Sequence, residues 1–169
     1  MPRILPALAA VLLLSACADH IAVRGPIERV GAEEAARRIA GSTASTILVD
    51  LESDGGEVAA GMGIVAAMEA ARGRARLVTR VRDHCHSMCI ALFLAGDERI
   101  AEPGARFLMH GVIDPCGLPL PAATVPLAAY YLKRGLDPAW LLAQLDAGRL
   151  LSPEPVSLSG AQMAQLISR

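Results

Sequence analysis

Two side-chain types that together make an acyl-transfer centre stand at the ends of apolar runs. Ser87 opens the run Met88–Leu94, and His110 follows the run Phe107–Met109, 23 residues after Ser87. A serine hydroxyl becomes a useful nucleophile only when a neighbouring base accepts its proton, and the proton affinity of histidine suits that role near neutral pH. Acyl transfer also needs donors for the negative charge that develops on the attacked carbonyl oxygen. The turn Ser53-Asp54-Gly55-Gly56 offers two adjacent glycines, whose missing side chains let backbone amides approach a reacting atom. Met88, the residue after the serine, offers a second amide.

The segment from Asp50 to Gly61, DLESDGGEVAAG, resembles the strand and glycine turn of Clp protease proteolytic subunits, signal peptide peptidase A and related crotonase-fold proteins. Val81 through Ala91 resembles the place where these proteins carry their nucleophilic serine, at the first turn of a buried helix. Leu94-Ala95-Gly96-Asp97, Ile100 to Pro103 and Phe107 to His110 are similar to the helix end, strand and histidine that come next. The likeness runs from about Ile47 to Gly111 and fades over the last third. It implies an α/β domain of the crotonase/Clp-protease type, with a mainly parallel sheet, ββα-type units and flanking helices. It further implies a serine peptidase or hydrolase without a cofactor or metal, acting on a peptide or protein and assembling as a homo-oligomer. In that arrangement Ser87 is the nucleophile, His110 the base, and the amides of Gly55 or Gly56 and of Met88 form the oxyanion hole.

The third member of such a triad departs from the pattern. Clp-type enzymes draw an aspartate from just before a Leu-Ser-Pro-Glu-like helix start; Leu151-Ser152-Pro153-Glu154 are present, but Gly148 or Arg149 occupies the acid's place. Asp146 would serve only if the loop were reshaped, with Asp114 and Asp137 as other candidates; without a carboxylate His110 could still act as a base held by a backbone carbonyl or water. Lys133, the only lysine, is an alternative base, since related membrane-associated proteases use a serine and lysine pair. The missing carboxylate also fits a catalytically inactive scaffold or partner-binding module. A crotonase-like acyl-CoA enzyme would use the same two-amide site, but an envelope lacks the usual CoA pool.

Cys85 and Cys89 flank Ser87, and in an exported protein paired cysteines default to a disulfide, although a fully helical pair at this spacing would need local distortion. His84, Cys85, His86, Cys89, His110 and Cys116 supply enough ligand types for zinc, yet their spacing matches no strong zinc signature.

Export is read from the start of the chain. Arg3, the apolar stretch Ile4–Leu14 and the small residues Ser15 and Ala16 form a signal-peptide pattern over residues 1–16, too short to span a bilayer. Leu14-Ser15-Ala16-Cys17 resembles the lipobox of bacterial lipoproteins, which implies cleavage before Cys17 and lipid on its thiol. Ala18 after the cysteine favours the outer membrane, facing the periplasm. Residues 17–30 are expected to be a lipidated tether, with a short strand at Ile21–Val23, and 31–169 a single domain.

The elements that must position these residues follow from periodicity and punctuation. Gly31–Ile39 reads as helix and Thr46–Leu51 as a buried parallel strand; Val58, Met62, Val65 and Met68 mark the helix after the glycine turn. Leu77–Val81, Arg99–Ile100 and Arg106–Met109 read as strands around the buried helix Ser87–Leu94. Four prolines from Pro115 to Pro126 predict a loop, with helix resuming near Leu127 and again over Pro138–Leu145 and Gly160–Ile167. With 16 basic and 17 acidic residues interspersed, no concentrated basic surface calls for nucleic acid.

Overall fold

The computed structural model describes residues 18–152 and 154–167; the expected signal peptide and the expected lipid site at Cys17 lie outside the described residues. In chain order the elements are β1 (Ala18–Arg24), α1 (Arg29–Gly41), β2 (Thr46–Ser53), α2 (Val58–Ala71), β3 (Arg76–His86), α3 (Met88–Leu94), β4 (Glu98–Ala101), β5 (Arg106–Met109), α4 (Pro121–Lys133), α5 (Pro138–Asp146), a 3-10 turn (Arg149–Leu151), β6 (Val156–Ser159) and α6 (Gly160–Leu166). The sheet has six strands in the order β1-β2-β3-β5-β6, with β4 also paired to β3. Every pairing is parallel except β5 with β6. The expected α/β architecture, a mainly parallel sheet with flanking helices, is therefore the one the chain adopts.

β3 organises the sheet because it serves two neighbours along one side. Its first half, Val78–Val81, pairs with β4, and its last residues, His84–His86, pair with β5. Between these halves the register with β2 shifts: Leu51 stands opposite Val81, but Ser53 stands opposite Cys85. Extra residues in one strand of a pair bend it and increase its twist. Past this shift β3 pairs with β5 instead of β4.

The helix that follows β3 is apolar on all sides because it has no solvent face. Every residue of α3 is at most 1% exposed, packed among the inward residues of β2 and β3 and against α2 and α4. A buried helix leaves its last carbonyls without water, so partners must come from elsewhere. Arg134 donates to the carbonyls of Leu94, Ala95 and Gly96, and Arg72 donates to that of Ala95. Those two cations also complement the negative end of the helix.

The start of the domain corrects the tether expected over residues 17–30. β1 begins at Ala18 and runs in register with all of β2 from Thr46 to Glu52, burying Ile21 and Val23. Its polar residues do not keep it out of the sheet, because His20 reaches Asp50 and Arg24 reaches Glu52 on the neighbouring strand. Near the other end, α4 begins at Pro121 rather than at Leu127. Pro121 fits the first helical turn, where no amide partner is needed, and Pro126 is accommodated within a helix whose neighbouring Val125 is 60% exposed. The four-residue β6, not read from the sequence, completes the far edge antiparallel to β5.

Asp50 is the main polar group within the sheet. Arg80 on β3 donates to it through Nε and Nη2 at 2.5 and 2.7 Å, and the His20 ring contacts it from β1. The Arg80 hydrogen bond, aided by His20 and opposed by burial, holds the Asp50 carboxyl down at about 2. A carboxylate with a depressed folded pKa stabilises the fold above its unfolded value and loses that contribution as pH falls through the folded one. Acid titration of the melting temperature should therefore show a loss on the order of 2 kcal/mol between about pH 4 and pH 2. Asp50→Asn should be less stable at neutral pH and lack that part of the acid slope; an unchanged profile would contradict the assignment.

Candidate active site

Three neighbouring parallel strands end side by side, and the candidate residues sit just past those ends, where parallel sheets hold their functional loops. β2 runs into the turn Asp54-Gly55-Gly56 and then α2; β3 runs into Ser87 and then α3; β5 runs into His110. Ser87 is the one non-glycine residue with positive φ among the described residues, at φ 51° and ψ −122°. That conformation costs on the order of 1 to 3 kcal/mol, and neighbouring structure must impose it. The Ser87 amide donates to the Leu108 carbonyl at 2.7 Å, and the Ser87 carbonyl accepts from the Ile90 amide at 3.0 Å. Across the turn, Cys85 and Cys89 form a disulfide with their Cα atoms 5.2 Å apart. Cys85 belongs to the strand and only Cys89 to the helix, so no helical pair has to be distorted.

The glycine turn is pressed against this bend. A side chain on Gly55 would place its Cβ 2.7 Å from the Ser87 Cβ and 2.8 Å from the His86 carbonyl oxygen. On Gly56 it would meet the Ile27 carbonyl oxygen at 2.3 Å. Ile27 clamps the turn from outside: its amide donates to the Gly55 carbonyl, and its carbonyl accepts from the Glu57 amide. Ile27 lies in the stretch expected to be tether, and its part in the site was missed because its partners are backbone groups.

Ser87, Met88, Gly56 and His110 line one open cleft of about 590 Å³, together with Asp54, Glu57, Val58, Ala59, Gly111, Val112, Ile113 and Leu127. The amides of Gly56 and Met88 make no hydrogen bond among the described residues and remain available to a ligand. The Gly55 amide is not available, since it donates to Ser53 Oγ at 3.1 Å. Of the two glycines expected to supply an oxyanion donor, Gly56 alone can do so. His110 donates from Nδ1 to the Gly111 carbonyl at 2.7 Å, which fixes the proton on Nδ1 and leaves Nε2 as the basic nitrogen.

The other candidates lie elsewhere. Asp146 is exposed at the last residue of α5 and does not line the cleft. Lys133 is exposed at the end of α4, six residues past cleft-lining Leu127 and hence roughly 9 Å further along the helix axis. Asp114 accepts from the amides of Cys116 and Leu118, and Asp137 caps α5 by accepting from the Trp140 amide. Arg149, at the place expected of a triad acid, donates to Gln144. The backbone of that 3-10 turn packs directly on the residue after the histidine: a Cβ on Gly111 would lie 2.0 Å from the Leu150 carbonyl oxygen. The Gly111 carbonyl holds the His110 ring, the arrangement expected where no carboxylate reaches it, and neither Asp146 nor Lys133 lines the cleft.

The disulfide removes Cys85 and Cys89 from the zinc set, and Cys116 is free and exposed. Glu52, Asp83 and His84 do bring donor atoms within 4.8 Å of one another, but Arg24 and Arg106 already approach the two carboxylates at 3.8 and 3.6 Å. His86 donates from Nδ1 to Asp54 at 3.0 Å, and burial pushes its proton affinity below the usual range despite that carboxylate.

The Clp protease family model matches residues 17–118. The chain belongs to the Clp protease family. No curated protein matches it. The Clp protease match covers β1 through β5 with Gly56, Ser87, Met88 and His110, and it stops before α4. The place expected of a third triad residue thus falls outside the matched part.

The contact between the two turns makes Gly55→Ala a sensitive test. The added methyl meets the serine turn and must also occupy φ +92°. The expected cost is on the order of 2 kcal/mol, or roughly 5 °C in melting temperature. A variant that melts with the parent protein would show that the turns are not interlocked.

Proposed function

We propose that this Clp protease family member is a serine hydrolase of the cell envelope, acting on peptide bonds and related esters. The observation that carries the reading is the juxtaposition in one cleft of a serine held at positive φ, a histidine with its Nδ1 proton already committed, and two unpaired amides. Ser87 is the nucleophile and His110 the general base. Nε2 takes the hydroxyl proton as Oγ bonds to the substrate carbonyl carbon, and the carbonyl oxygen becomes the oxyanion received by the Gly56 and Met88 amides. Collapse of that intermediate breaks the bond to the leaving amine or alcohol, which departs with the proton from His110. Water then adds to the acyl-serine with His110 again as base, releasing the acid and restoring the hydroxyl.

The orienting carbonyl of Gly111 fixes the same tautomer that a triad carboxylate would fix, but it carries no full charge to stabilise the imidazolium. A wrong tautomer costs about 10⁴ in rate in a serine protease, whereas a correct tautomer without the carboxylate retains a working base. A small fluorophosphonate should label Ser87 slowly. The adduct should be absent in Ser87→Ala and strongly reduced in His110→Ala, while Asp146→Asn and Lys133→Met label at the parent rate. Absence of a Ser87 adduct in the folded, oxidised chain after long exposure favours the non-catalytic scaffold, which also fits a His110 that bonds no carboxylate among the described residues.

Envelope placement rests on the leader and on the resemblance of Leu14-Ser15-Ala16-Cys17 to a lipobox. Cys17 carries the lipid in this reading, and Ala18 directs the protein to the outer membrane. Cys17→Ser should leave an unprocessed precursor without lipid label; normal processing and membrane partition would defeat the placement.

A further inference from the structure

The walls of the cleft differ in charge. Asp54 and Glu57, from the glycine turn, line one part, whereas Val112, Ile113 and Leu127, from the segment after His110 and from α4, line another, and no lysine or arginine lines it anywhere. Glu57 makes no side-chain hydrogen bond or ion pair among the described residues. Asp54 is 78% exposed, and its partners are His86 at 3.0 Å and His84 at 3.6 Å. Burial keeps His86 toward its neutral form, so its hydrogen bond leaves the Asp54 charge in place. Arg29, which lines a second pocket with Glu57, pairs with Glu33 at 3.3 Å, and Arg106 pairs with Asp83 at 3.6 Å.

We infer that the cleft selects cationic peptides, seating an apolar side chain against Val112, Ile113 and Leu127 and a lysine, arginine or free amine against Asp54 and Glu57. The inference deepens the hydrolase reading of this cleft and rests on it. Two exposed carboxylates act through water and salt, so each contributes a few-fold and together about tenfold at low ionic strength. An anionic peptide meets the same two charges as repulsion.

The test has a kinetic and an equilibrium arm, both on the full chain. In the first, three aryl phosphonate probes, identical except for a terminal ammonium, amide or carboxylate, are compared by their rate of Ser87 labelling. The ammonium probe should react about tenfold faster than the carboxylate probe at roughly 20 mM salt, with the ratio approaching one at roughly 500 mM. The ratio should fall to about threefold in Glu57→Gln and approach one in Glu57→Lys, where the new ammonium offsets Asp54. In the second arm, two fluorescent heptapeptides with a central leucine, flanked by lysines or by glutamates, are titrated onto Ser87→Ala. The lysine peptide should bind about tenfold more tightly at low salt. Equal labelling rates and equal affinities overturn the inference while leaving the hydrolase reading intact. Absence of labelling by all three probes overturns the hydrolase reading, and the binding arm still decides the charge preference.

Discussion

The bend in β3 is the constraint on which the site depends. β4 ends opposite Val81, and the residues of β3 past the register shift pair with β5 instead. The register shift after Leu51 changes that partner, so that Cys85 and His86 pair with Phe107 and Leu108. The Ser87 amide then meets the Leu108 carbonyl, and His110 emerges two residues later on the same side of the sheet. Serine and histidine share a cleft because two short strand ends are paired, without any direct bond between their side chains.

Around that pairing, the strain at Ser87 is imposed by groups of different kinds. The disulfide joins the residues on either side of the bend, Gly55 fills the space beneath it, and buried α3 anchors the chain beyond it. Each group is cheap in isolation and restrictive in combination. Arg72 and Arg134 belong to the same arrangement although they lie at the far end of α3, because an unsatisfied helix terminus there would weaken the anchor.

Much of this was legible in residue types. The apolar run after Ser87 announced a helix without a solvent face, the paired glycines announced a close approach, and Arg106–Met109 is a strand with the boundaries its pattern predicts. The failures share a cause: the deciding partner is remote or lies in the backbone. Residues 17–30 read as a tether with only a short strand at Ile21–Val23, yet Asp50 and Glu52 on β2 answer His20 and Arg24 and the whole of Ala18–Arg24 joins the sheet. Val156–Ser159 is too short to read as a strand until β5 pairs with it. That a backbone carbonyl could hold His110 was legible from the absent carboxylate, but that it is the carbonyl of Gly111 was not, because a hydrogen-bond-accepting carbonyl has no side-chain signature. Positive φ at Ser87 is equally silent, since glycine is the residue that ordinarily signals it.

The complete burial of α3 also bears on when the geometry of the serine turn arises. A helix with a solvent face can fray one turn at a time, but one whose seven residues are all within 1% of full burial cannot open locally without breaching the core around it. The geometry at its first residue is then acquired with the cooperative closure of the whole domain. A chain not yet folded, or one partly unfolded afterwards, carries an ordinary serine at position 87, and the positive-φ turn exists only in the finished fold.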